Sequence, residues 1–393
     1  MASCHHALGS HAARLRDADV LLLAYLTDIS RDWLLGLSAS AYRIPLVLVG
    51  QGNKWVGARG KMWGVARAAQ LLGAVAPHVP ILVLDGADTF VANPLRAIEL
   101  ARAIGRADDR VVVSTECNLW PVCTRMANFT RTRQHAACRN GSWPACFPNS
   151  GAFLGSGRAL SRLVAAILPA FDPAHAASNV QRAGGKWASN DQFAIGEAFL
   201  EQAALGLEIE LDGRGDFVTS LIDCRPHRSL RAQNCWHEPW DALRHLRVDE
   251  ASHEATLKWR TTAAHGGGHG GHGGGEERAQ RPLVLHSNAD PTFAKLNSSS
   301  ARPAWTWLLA RRDELLAHPV VSLDGAALGA CNVSSLGDVL ALGHDVFGRM
   351  WSVEHRELLH RLSLLQLPYQ HQRDLFEKEG FDSLSCARDP GFT

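Results

Sequence analysis

The segment Ile81-Leu82-Val83-Leu84-Asp85-Gly86-Ala87-Asp88-Thr89-Phe90 decides how this chain is read. Its four leading apolar residues form a short, uninterrupted run, the pattern of a strand buried on both faces. Asp85 and Asp88 follow at once, three residues apart. Two hard oxygen ligands therefore stand at the carboxyl end of a strand, where an open α/β sheet keeps its ligand crevice. The device recurs at Leu283-Val284-Leu285, which delivers His286. The reading expects a second, neighbouring strand to bring His286 to the same divalent ion. Two carboxylates and one imidazole suit Mn²⁺ better than Mg²⁺, because nitrogen ligation and imperfect octahedral geometry count against the smaller ion. Singly, a strand-terminal Asp often caps a turn and a lone His is usually a core or surface residue; only the combination points to a metal.

Outward from this segment, strand-like and helix-like runs alternate from residue 20 to about 200, which predicts a mainly parallel sheet covered by helices. Residues 20–26 (VLLLAYL) and 45–49 (PLVLV) read as strands before it. Residues 61–75 read as an amphipathic helix between them and Ile81. Asn93-Pro94 is expected to open another helix with Asn93 as its cap, and 111–115 (VVVST) to form the next strand. Asn149 to Gly157 reads as a glycine-rich turn before an apolar helix reaching Phe171. A further helix starts near Asn190 and Asp191, both in cap positions.

With 393 residues, 46% apolar and 20% charged, the chain can bury a sizeable core. Forty basic against 39 acidic residues give a net charge of +1, so no global field recruits nucleic acid or an anionic membrane. No apolar stretch reaches the length of a spanning helix. Residues 116–148 hold Cys117, Cys123, Cys138 and Cys146, whose spacing lacks the short hooks of a structural zinc site. Disulfides are expected there, in any of three pairings. Cys224 with Cys235 and Cys331 with Cys386 are further candidate pairs, leaving Cys4. Sequons at Asn128, Asn140, Asn297 and Asn332 join the cysteines in pointing to the lumen of the secretory pathway, endoplasmic reticulum or Golgi, although the first nineteen residues lack a signal-like apolar run. The run 263–275 reads as a flexible loop, with His265, His269 and His272 solvated and not ligands. Residues 1–19 form an N-terminal segment, 20–299 one domain, and 300–393 a helical tail.

The order of motifs resembles the glycosyltransferase domain of the procollagen lysyl hydroxylases over about residues 20–295. The likeness is carried by Tyr25 and Thr27 after the first strand, Lys54-Trp55 and then Gly60-Lys61 opening a helix, and Leu84-Asp85-Gly86-Ala87-Asp88. It continues with Ser114-Thr115-Glu116 and Trp120-Pro121, Asn149-Ser150-Gly151, Asn190-Asp191-Gln192, and Val284-Leu285-His286 with Asn288. The resemblance implies a GT-A-type fold, Mn²⁺, and a UDP-sugar donor whose hexose, glucose or galactose, passes to a hydroxyl on protein or glycan, hydroxylysine being the family's acceptor class. It puts Asp85, Asp88 and His286 on the metal, Tyr25 and Thr27 near the uridine, and Lys61 on the donor's phosphate side. Asn149, Asn288 and Lys295 join the donor-binding set with Asp85, and Asp191, with Asn190 beside it, falls on the catalytic pocket. Three departures bear on sugar and acceptor identity: Ala87 where the family has an aromatic residue, Asn190 where it has an aspartate, and Ala289-Asp290-Pro291-Thr292 in place of Gly-Pro-x-Lys, with Lys295 displaced. No run of strands with His-x-Asp follows residue 300, so the chain is expected to glycosylate without hydroxylating. Trp55 and Trp120 are the tryptophans expected near the site, ahead of Trp63 and Trp187. The rival readings are a UDP-sugar hydrolase and a degenerate UDP-binding module without catalysis.

Overall fold

The computed structural model describes residues 13–26, 33–50, 57–86, 88–94, 96, 99, 109–116, 147–171, 190–213, 215–221, 245–249, 251–260, 277–286, 307, 308, 311, 314, 315, 317, 319–323 and 331–335. Thr27, Ala87, Asn288, Lys295, Trp55, Trp120, the histidine-glycine run and every cysteine but Cys331 lie outside these residues.

Three parallel strands form the centre: β1 (Leu21–Tyr25) lies between β2 (Leu46–Val49) and β3 (Ile81–Asp85). Their apolar side chains alternate between two cores, as a period of two requires. Leu22, Ala24, Leu46, Leu48, Leu82 and Leu84 point to one face, and Leu21, Leu23, Val47, Val49, Ile81 and Val83 to the other. Helix α1 (Trp33–Ala41) packs on the first face. Helix α2 (Gly57–Val75) and helix α3 (Gly157–Ile167) pack on the second, joined by α4 (Asp191–Leu200).

The remaining strands are β4 (Thr89–Val91), β5 (Arg110–Glu116), β6 (Phe147–Gly155), β7 (Glu208–Leu211), β8 (Val218–Ser220), β9 (Leu246–Val248), β10 (Ala255–Arg260), β11 (Glu277–Gln280), β12 (Val284–His286), β13 (Pro319–Leu323) and β14 (Cys331–Ser335). The main sheet runs β14-β13-β2-β1-β3-β6-β5-β8-β12-β4, with β7 paired to β5; β9, β10 and β11 make a separate small sheet. This is the expected mixed, mainly parallel sheet flanked by helices. Among the described residues no helix is long and apolar enough to cross a membrane.

The order contains a constraint. Five strand positions separate β3 from β4 in the sheet, which in a flat sheet means roughly 24 Å at about 4.8 Å per strand. Only four residues lead from Asp85 to Thr89, a reach of at most about 14 Å. The sheet must therefore curl until its far edge meets the end of its central strand. The Thr89 hydroxyl donating to the Asp85 carbonyl at 2.8 Å marks that meeting point.

Three expectations change. Asn149 to Gly155 is not a turn but most of β6, which runs antiparallel between β3 and β5; seven successive positions buried on both faces favour a strand despite the glycines. The tail after residue 300 is helical at 307–308 and 314–315, but β13 and β14 then extend the main sheet beyond β2, so the sheet continues past residue 299. Asn93 accepts from Arg96 through its backbone only. Its side-chain amide turns inward and donates to the carbonyls of Ala255 (2.7 Å) and Pro282 (2.6 Å), tying the small sheet to the large one.

Helices α2 and α3 touch through glycines. A Cβ on Gly157 would lie 2.5 Å from the Gly73 Cα, a contact only backbone movement can relieve. Gly157→Ala is expected to destabilise the protein by about 1–3 kcal/mol, read as a lower Tm in thermal unfolding; an unchanged Tm would show that the two helices are not held at this separation.

Candidate metal centre

Asp85 is the last residue of β3, and the chain turns at Gly86, whose amide donates to the Tyr25 carbonyl at 3.3 Å. Any side chain there would press on that carbonyl, because a Cβ would stand 2.7 Å from it. Asp88 follows, buried, and leads directly into β4. Strand β12 pairs antiparallel with β4, placing His286 opposite Thr89, and parallel with β8, placing it opposite Ser220. The Leu221 amide donates to the His286 carbonyl at 2.7 Å and secures the strand end. The strand carrying His286 thus neighbours β4 and not β3: the short passage from Asp85 to Thr89, not adjacent strands, unites the three residues.

Ligand atoms of Asp85, Asp88 and His286 lie within 4.8 Å of one another. His286 Nε2 is 3.2 Å from Asp88 Oδ2, with both side chains buried. Ligands of one ion at about 2.1 Å stand roughly 3 Å apart when adjacent and roughly 4.2 Å when opposite, so the spacing of the triad is close to what a single ion requires. The imidazole approaches so near the backbone of β6 that a Cβ on Gly151 would meet its Cε1 at 2.1 Å. The glycine of Asn149-Ser150-Gly151 therefore leaves the space that the His286 imidazole occupies. Two carboxylates and an imidazole, convergent and with only Asp85 partly exposed, fit a divalent cation.

Lys61, from the first turns of α2, enters from the other side and is only 3% exposed. Its Nζ lies 2.5 Å from Asp85 Oδ1 and 2.7 Å from Asp191 Oδ2, and donates to the Ser150 carbonyl at 3.1 Å. Burial alone would lower the pKa of this ammonium, but Asp191 and Asp85 outweigh it and the net shift is upward. Burial, with Asp88 and Asp191 nearby, raises the Asp85 carboxyl against the pull of Lys61. Burial would also raise Asp191, yet Lys61 and a Ser150 hydrogen bond prevail and hold it below its ordinary value of 3.8. For His286 burial works downward, while Asp88, Asp85 and Glu116 work upward and win. The site is rich in negative charge, as a cation site should be.

The other expected residues divide. Asn190 caps α4, its Oδ1 accepting from the Phe193 amide at 2.8 Å, which frees Asp191 from that duty. Asn149 spends its Oδ1 on the Gly151 amide at 2.7 Å. Tyr25 stands level with Asp85 in the sheet, but its ring is buried against Gly50 and Gly64, where added Cβ atoms would fall 2.8 and 3.2 Å from it. Trp63 lies on the outer face of α2, 47% exposed, away from Lys61. Two residues quoted as parts of motifs but not as site residues belong here. Glu116 ends β5 as Asp85 ends β3, and the Gln192 side chain from α4 donates to it in a buried hydrogen bond. The position of Glu116 after the apolar run 111–113 is the same signal that singled out Asp85.

No protein-family model and no curated protein matches the chain. Among solved structures, a glycosyltransferase involved in the glycosylation of the major capsid of PBCV-1 is similar at a TM-score of 0.31 and 11% identity, over 51% of this chain and 84% of that one. The resemblance to the lysyl hydroxylase family rests on the sequence motifs.

Because its folded pKa is depressed, Asp191 adds stability above pH 3.8, and that contribution disappears as pH falls through the depressed value. Asp191→Asn should cost about 1.5–3 kcal/mol at pH 7, as expected for a hydrogen bond to a charged group, with the gap to wild type narrowing below pH 3.8. A gap independent of pH in acid unfolding would show that the charge of Asp191 is not what Lys61 holds.

Proposed function

We propose that the chain is a metal-dependent glycosyltransferase that moves a hexose from a UDP-sugar to a hydroxyl on a protein or glycan, hydroxylysine among the candidates. The observation that carries this reading is the convergence of Asp85, Asp88 and His286, with Lys61 and Asp191 beside them, at the carboxyl ends of β3 and β12. Mn²⁺ is the ion this donor set suits, and when bound it supplies Lewis-acid neutralisation of a diphosphate leaving group. Asp85, Asp88 and His286 would hold it. The nine cysteines and four sequons support a place in the secretory lumen.

Asp191 stands at the start of α4, where its carboxylate meets the site while Asn190 serves the helix. Lys61 keeps it ionised and makes it a weak base at neutral pH, so it is better suited to accept hydrogen bonds from sugar hydroxyls or to attack as a nucleophile than to remove a proton. The carboxylate of Glu116, 3% exposed and bonded by Gln192, adds a further buried negative charge that acts on His286.

The test is UDP release from several UDP-sugars, with and without Mn²⁺ and with hydroxylysine-containing peptides. Release that needs both Mn²⁺ and acceptor is expected. Turnover indifferent to every acceptor would mark a hydrolase, and UDP binding without turnover would mark a binding module. Asp88→Ala should abolish Mn²⁺-stimulated UDP binding without unfolding the protein, since the side chain sits at the end of the sheet; full retention would remove the metal assignment. Asp191→Asn should lower transfer by at least about a hundredfold while leaving Mn²⁺-dependent UDP binding measurable, and wild-type turnover would move the chemistry elsewhere.

A further inference from the structure

The motif resemblance puts Lys61 on the phosphate side of a donor, but its hydrogen bonds describe a different task. A lysine ammonium has three N–H donors and no acceptor. Here three acceptors already surround it: Asp85 Oδ1 at 2.5 Å, Asp191 Oδ2 at 2.7 Å and the Ser150 carbonyl at 3.1 Å. They come from three separate elements, β3, α4 and β6. The side chain is 4% exposed, so a phosphate oxygen could reach Nζ only by displacing one of them.

From these contacts we infer that Lys61 is a positioning residue and not a donor-phosphate ligand: it clamps one oxygen of Asp85, leaving the other for the ion, and ties Asp191 to that carboxylate. The inference rests on the metal-dependent reading above and names what Lys61 does within that site. A carboxylate at a strand end turns freely about its last bond unless one oxygen is held, and partners that orient metal ligands in this way typically govern affinity by 10–100-fold. Asp85 is the least buried of the three ligands, its side chain 33% exposed against 9% for Asp88 and 4% for His286, so it has most need of such a clamp. The clamp also links two functions. Movement of Asp191 at the start of α4 is felt at Asp85 through a single nitrogen atom, although Asp191 is not itself a ligand.

Lys61 and Asp191 carry opposite charges, so removing both leaves the net charge of the site unchanged and isolates orientation from field. The experiment is calorimetric titration of the full chain carrying Lys61→Met with Asp191→Asn, first with MnCl₂ alone and then with UDP at saturating MnCl₂, with near-UV circular dichroism to establish the fold. Mn²⁺ affinity should fall about 10–100-fold, while UDP affinity at saturating Mn²⁺ stays within about twofold of wild type. Unchanged Mn²⁺ affinity would overturn the inference, and so would a tenfold or greater loss of UDP affinity at saturating Mn²⁺, which is what loss of a phosphate contact produces. If that variant does not fold, Lys61→Arg keeps the charge but cannot serve the same three acceptors from one point. It should weaken Mn²⁺ several-fold and spare UDP at saturation, and the same two results overturn the inference. Wild-type protein that binds no Mn²⁺ would overturn the transferase reading and this inference together, whereas wild-type binding unaffected in both variants would overturn this inference alone.

Discussion

The short passage from Asp85 to Thr89 is the constraint on which the rest of the structure depends. It joins a central strand to the far edge of the same sheet, and only a curled sheet permits that. Curling brings β12, which lies against β4, to the end of β3 and carries His286 to the two aspartates. The convergence of these three side chains is thus a consequence of closure and not of any one loop. Its precision comes from β12 being held on both sides: a slip of one residue in either ladder would turn His286 to the opposite face of the sheet. Gly86 and Gly151 are the points where closure leaves no space, one against the Tyr25 carbonyl and the other against the imidazole.

Closure concentrates charge. Asp85, Asp88, Asp191 and Glu116 gather around a single buried lysine and a histidine whose proton affinity they raise. Burying carboxylates is costly unless they are paired or coordinated. Lys61 answers for Asp85 and Asp191, while Glu116 has the amide of Gln192. Asp88 pairs with the imidazole of His286 at 3.2 Å, both side chains buried, and a cation bound there would offset the remaining negative charge. Lys61 and the ion would then serve different ends of one carboxylate.

The sheet and the convergent triad Asp85, Asp88 and His286 were legible because both rest on local signals: apolar runs of strand length, and a carboxylate or imidazole at their ends. Asp85, Asp88 and His286 needed no knowledge of strand order to be suspected. The route by which they meet was not legible, since pairing of β12 with β4 depends on curl, a property of the whole sheet. The same limit hid β13 and β14. Their short runs follow a stretch with a strong helical pattern, and nothing local says that Val321 will lie beside Val47. In β6, glycines that suggest a turn when read along the chain are explained by what lies across it, the imidazole at Gly151 and the neighbouring strand at Gly155.

Several polar residues expected to meet a donor are already engaged within the protein: Asn149 with Gly151, Asn190 with the helix start, and Tyr25 against two glycines. The reason is physical. Asparagine is selected as readily for binding its own backbone as for binding a ligand, and the sequence pattern is identical in both cases. A carboxylate at a strand end is less ambiguous when a second one stands three residues away, because mutual repulsion makes the pair unfavourable without a cation. The division between Asn190 and Asp191 shows both rules at once. The neutral residue takes the cap, where a neutral oxygen suffices, and the charged one is left to face Lys61 and the site.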